Sequence, residues 1–111
     1  MPFEQLALAV GYDHNYVING EPGTLRLAGE LVSEENHLAM NTYTTMPGIQ
    51  LYSGNYLSGH GKGGFEYKKY GALCLETQHF PDAVNRPNFP SPILRAGEVY
   101  RQTSVYEFKN I

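Results

Sequence analysis

Gly71-Ala72-Leu73-Cys74-Leu75-Glu76-Thr77-Gln78-His79-Phe80-Pro81-Asp82 sets a carboxylate, Glu76, in the middle of an apolar run that stops at a proline. Alternation along a strand puts Leu73 and Leu75 on one face and Cys74, Glu76 and Gln78 on the other. With the leucines packed inward, Glu76 and Gln78 look onto whatever lies on the opposite side. Moving an ionised carboxylate out of water is costly unless it is paired or put to use. Two readings of Glu76 follow. It is either a structural glutamate bonded to neighbouring strands, or a partly desolvated acid placed to accept a proton.

The rest of the chain repeats the strand pattern. Turn residues recur every ten or so positions, at Asn19-Gly20, Pro22-Gly23, Pro47-Gly48, Gly54-Asn55, Gly59 to Gly64 and Gly97, with runs rich in Tyr, Thr, Val and Leu between them. The segment 25–32 reads as a strand with Leu25, Leu27 and Leu31 on one face and Arg26 and Glu30 on the other. A second strand is expected over 35–45, alternating Leu38, Met40 and Thr42 against Ala39, Asn41 and Tyr43. A third is expected over 97–108. No stretch of helical length carries a 3.6-residue period. The fold class expected is therefore all-β, an antiparallel β-sandwich, with residues 1–111 forming a single domain or part of one. Residues 59–64 read as a flexible glycine loop. Residues 80–92 hold four of the seven prolines and read as an ordered, extended loop.

Composition narrows the function. The net charge is −3, and Lys68-Lys69 is the only adjacent basic pair, so binding to nucleic acid through phosphate neutralisation is not expected. Cys74 is the one cysteine, which rules out an internal disulfide and fits a reducing compartment. The four histidines have no metal-ligand spacing. Residues 1–10 lack the basic start and long apolar stretch of a signal peptide, and no run reaches transmembrane length. A cytoplasmic protein without membrane partner or metal is the expectation.

Two further segments join polar groups to aromatics: Gly11-Tyr12-Asp13-His14-Asn15-Tyr16-Val17, and Pro47-Gly48-Ile49-Gln50-Leu51-Tyr52-Ser53-Gly54-Asn55. In the second, Ile49 and Leu51 take one face, and Gln50 and Tyr52 the other. Two strands that each turn a polar group away from their leucines suggest a polar groove. Together with Cys74-Leu75-Glu76-Thr77-Gln78-His79-Phe80-Pro81-Asp82-Ala83-Val84-Asn85, with Asn88-Phe89-Pro90-Ser91 and with Gly97-Glu98-Val99-Tyr100-Arg101, these words resemble the aldose 1-epimerase (mutarotase) family. The likeness runs from about Gly11 to Phe108.

The resemblance implies the C-terminal part of a large antiparallel sandwich of the mutarotase supersandwich type, with a sugar-binding groove. Family members interconvert the α and β anomers of free aldoses such as galactose and glucose, with neither cofactor nor metal. Carried onto this chain, the resemblance makes Glu76 the general base and Asp13 and Gln50 the groups that bind sugar hydroxyls. Family members are about three times longer. Their general-acid histidine lies in an upstream Asn-His-Ser/Thr-Tyr-Phe-like word that these 111 residues lack. Losing one of two proton-transfer groups forfeits about 10²–10⁴ in rate, so the chain by itself is expected to speed mutarotation little or not at all. A non-catalytic carbohydrate-binding module and an inactive remnant are the alternatives. His14 is the one histidine worth testing as a substitute acid, since His79 alternates away from Glu76. A cut sandwich leaves open edges and uncovered apolar side chains, so a complementary N-terminal half or self-association is expected.

Overall fold

The computed structural model describes residues 3–111; Met1 and Pro2, the first positions of the segment read as lacking a signal peptide, lie outside the described residues. The elements are α1 (Phe3–Ala9), β1 (Asp13–Val17), β2 (Arg26–Ser33), β3 (Leu38–Thr44), β4 (Gly48–Tyr52), β5 (Gly59–His60), β6 (Glu66–Tyr67), β7 (Cys74–Gln78) and β8 (Ser104–Asn110). Short 3₁₀ turns occupy Lys62–Gly64 and Ala83–Asn85. The strands form sheets in the orders β1-β4-β7, β2-β3-β8 and β5-β6. The all-β, antiparallel expectation holds.

The chain divides into two compact units, one of Met1–Tyr16 with Gln50–Glu76, the other of Val17–Ile49 with Thr77–Ile111. In the second unit, β3 is the central strand and pairs antiparallel with β2 and β8. Its inner positions are small and polar: Thr42 and Thr44 are fully buried. The Thr44 hydroxyl lies 3.0 Å from that of Ser104, which in turn lies 2.8 Å from that of Thr77. The Met46 N–H donates to Thr44 Oγ1 at 3.0 Å, so the Thr44, Ser104 and Thr77 hydroxyls are satisfied without water, whereas the buried Thr42 Oγ1 has no partner. Met46 and Ile49 are buried, each contributing about 1.5–3 kcal/mol by leaving water.

One expectation for β2 fails for a clear reason. Leu27 and Leu31 were expected to share a face, but the register shifts between Leu27 and Gly29. The extra residue of this bulge puts Leu27 opposite Tyr43 and Leu31 opposite Met40, hence on opposite faces, because the side-chain period is two. Leu27 is left 52% exposed.

Other boundaries moved too. Residues 34–37 form the turn before β3, with His37 left-handed at φ 51°. Residues 97–103 are irregular and β8 starts at Ser104, although Thr103 C=O still accepts from Thr45 N–H at 3.0 Å. The glycine segment is not wholly loop, since Gly59 and His60 pair with Tyr67 and Glu66. Helix α1 was missed: at seven residues it is too short to show a helical period. Residues 80–92 form no strand, as the prolines require. A 2.9 Å ion pair from Arg86 to Asp82 and an edge-on Phe80–Phe89 contact at 5.2 Å pin that stretch.

On β8, the exposed Glu107 carboxylate accepts from Asn41 Nδ2 and Tyr43 Oη, both at 3.2 Å, with Lys109 Nζ 3.5 Å away. The Asn41 hydrogen bond, aided by Tyr43 and Lys109, holds its pKa below the ordinary carboxylate value. A depressed folded-state pKa stabilises the fold above the unfolded-state value, and that contribution fades as pH falls through the folded one. Urea unfolding of wild type and Glu107→Gln should therefore show a stability difference at neutral pH that shrinks on acidification below the ordinary carboxylate range. A difference independent of pH would contradict this.

Candidate functional site

The first unit carries all three candidate residues on adjacent strands: Asp13 opens β1, Gln50 lies in β4 and Glu76 in β7. Since β4 is the central strand, Gln50 stands one strand from each of the others, or about 4.8 Å in the hydrogen-bonding direction. Ile49 is buried on β4, where Gln50, Leu51 and Tyr52 are all half-buried, and Leu75 is half-buried on β7 between the exposed Cys74 and Glu76. Alternation turns Gln50 and Tyr52 away from Ile49 and Leu51, and likewise Cys74 and Glu76 away from Leu75.

Asp13 and Gln50 are joined directly. Gln50 Nε2 donates to Asp13 Oδ1 at 2.8 Å, a charge-assisted bond that fixes the carboxamide beside the carboxylate. The strands holding them are locked at one end. Ser53 N–H donates to the Tyr12 carbonyl at 3.1 Å, and Tyr12 N–H donates to Ser53 Oγ at 2.8 Å. Because Tyr12 precedes β1 and Ser53 follows β4, the two strands run antiparallel.

Glu76 is placed differently. It is exposed, and its carboxylate has no hydrogen-bond or ion-pair partner among the described residues. The expected desolvation is therefore not supplied within this chain, and Leu73, read as a core residue, is 54% exposed. The structural reading of Glu76, in which it bonds to neighbouring strands, loses its support for the same reason. Tyr52, expected to line a groove, accepts from Tyr56 N–H at 3.1 Å through its hydroxyl.

His14 Nδ1 accepts from Asp13 N–H at 3.0 Å, and its ring meets Tyr12 edge-on at 6.1 Å, so it serves the backbone at the start of β1. His79 lines a cavity of about 780 Å³ in the second unit with Met46, Ile93, Tyr100 and Arg101. That cavity contains none of the three candidate residues. Among the described residues no group of His, Cys, Asp and Glu could hold a metal ion, and no helix is long and apolar enough to cross a membrane.

Sequence reading gave no role to Ser53 and Asn55. Both are buried, and both reach the Tyr12 backbone. The signal was the Ser-Gly-Asn order, a turn signature that leaves two hydrogen-bonding side chains flanking a glycine.

Comparison with known proteins decides the family. The aldose 1-epimerase family model matches residues 2–107. The chain belongs to the aldose 1-epimerase family. It is 41% identical over 100 residues to galactose mutarotase from Mus musculus and 37% identical over 101 residues to aldose 1-epimerase from Escherichia coli. Each match covers 88% of this chain and 29% of the relative. The crystal structure of a GalM/aldose epimerase homologue from C. elegans superposes with a TM-score of 0.80 at 33% identity, covering 90% of this chain and 30% of that one. The chain thus spans about 29% of the length of the curated relatives it matches.

Proposed function

We propose that the Asp13–Gln50–Glu76 strands form the proton-accepting side of an aldose 1-epimerase site. The observation that carries this reading is the family match over residues 2–107, with these three residues on neighbouring strands. Glu76 takes the proton from the anomeric hydroxyl while the bond from C1 to the ring oxygen breaks and the ring oxygen gains a proton. The open aldehyde turns about its C1–C2 bond and recloses by the reverse steps, giving the other anomer. A carboxylate coupled to a carboxamide offers acceptor and donor side by side, which suits the neighbouring hydroxyls of galactose or glucose.

Ring opening also needs a proton donor at the ring oxygen and cover that excludes water. On this reading both come from polypeptide beyond these 111 residues, a complementary upstream part of the same fold. The exposed, unpaired Glu76 keeps a second reading in view, in which the chain binds aldoses without turning them over.

Calorimetric titration with galactose and with glucose tests the binding step common to both readings. Gln50→Ala should weaken aldose binding about fivefold, the worth of roughly one neutral hydrogen bond. Unchanged affinity in a folded variant would remove Gln50 from the site.

A further inference from the structure

We propose that Asn55 is a positioning residue for the Asp13–Gln50 pair, acting with Ser53 through the backbone of Tyr12. The inference rests on the reading of Asp13 and Gln50 as sugar-hydroxyl contacts, but it is carried by a separate set of bonds. Tyr12 immediately precedes Asp13, and both of its main-chain polar groups are held. Its N–H donates to Ser53 Oγ at 2.8 Å, and its carbonyl accepts from Ser53 N–H at 3.1 Å and from Asn55 Nδ2 at 3.0 Å. The circuit closes where Ser53 Oγ donates to Asn55 Oδ1 at 2.5 Å.

Asn55 and Ser53 are 3% and 7% exposed, so the circuit is shielded from water. Two devices make room for it. Gly54 takes φ 63°, which folds Asn55 back under Tyr12. At Gly11 the missing Cβ leaves the space that the Asn55 carboxamide fills. An ordinary antiparallel ladder would return the Tyr12 N–H to a main-chain carbonyl of the partner strand. Here a side-chain hydroxyl takes that N–H, and a buried carboxamide adds a further donor to the Tyr12 carbonyl. The peptide leading into Asp13 is therefore fixed from several sides, one residue before the carboxylate that meets Gln50 at 2.8 Å. Displacing it by even 1 Å would break that bond, and errors of this size at a reacting centre cost about 10²-fold.

The test is ¹⁵N NMR of the 111-residue chain, following the Gln50 side-chain amide, with Asn55→Ala and Ser53→Ala as variants. In the wild type the Nε2 proton bonded to Asp13 should be shifted downfield and slow to exchange. In Asn55→Ala that signature should be lost while the β2, β3 and β8 backbone amides stay in place, and Ser53→Ala should show a partial loss. Galactose affinity should fall about tenfold in Asn55→Ala, in step with the lost Gln50 signature. An unchanged Gln50 signal in folded Asn55→Ala overturns the proposal. So does a variant in which every sheet amide melts together, since the circuit would then support the fold alone. If the wild type binds no aldose, the reading of the sugar site fails, while the Gln50 signal still decides whether Asn55 positions the pair.

Discussion

Gly11→Ala is expected to be among the most destabilising single-methyl additions to this chain, costing about 3 kcal/mol. Gly11 sits at φ 101°, and a Cβ there would run into the Asn55 carboxamide and come within 2.9 Å of Ser53 Oγ. The unfavourable backbone alone costs on the order of 1–3 kcal/mol. Pushing Asn55 aside adds about 1–3 kcal/mol, because a buried carboxamide and the Tyr12 carbonyl lose partners they cannot replace from water. Gly23 is the control: its φ is 92°, yet nothing lies within 4 Å of its would-be Cβ. Gly23→Ala should carry the backbone cost only. Urea unfolding should show the Gly11 variant losing at least twice as much stability as the Gly23 variant, with similar m-values. Equal losses would mean that the space under Gly11 is not filled as described.

The sheets were legible because their signal is local. The strand-forming run over 38–44 marks β3, and the prolines at 81, 87, 90 and 92 exclude a strand where none forms. What failed was not local. The β2 bulge is one extra residue whose effect appears only in the pairing with β3, so no pattern within 25–32 exposes it. Likewise the last expected strand started seven residues early, because 97–103 has strand-like residues but lacks ladder partners until Ser104 meets Thr44.

For the site, the family words single out Asp13, Gln50 and Glu76 as candidates, and the structure sets them on neighbouring strands. The Asp13–Gln50 bond was not foreseeable, since it joins residues on separate strands. Burial of Glu76 was inferred from its apolar neighbours Leu73 and Leu75, but composition cannot say whether anything covers them. In this chain Leu73 is more than half exposed and Glu76 is open. The same uncovered side chains motivate the proposed complementary part.

The central claim is that Glu76 acts as a base on a bound aldose while the acid is missing. A buffer acid can stand in for the missing group. The measurement is the polarimetric rate of fresh α-galactose mutarotation with the wild-type chain and with Glu76→Gln, in buffers of increasing imidazolium concentration at equal aldose occupancy. Glu76→Gln keeps the shape and hydrogen bonding of the side chain but not its basicity, so it removes a contribution of about 10²–10⁴ to a complete acid–base pair. The account predicts a wild-type increment that is slight without imidazolium, grows with it, and is absent from Glu76→Gln. Equal rates for the two proteins at every imidazolium concentration would contradict it.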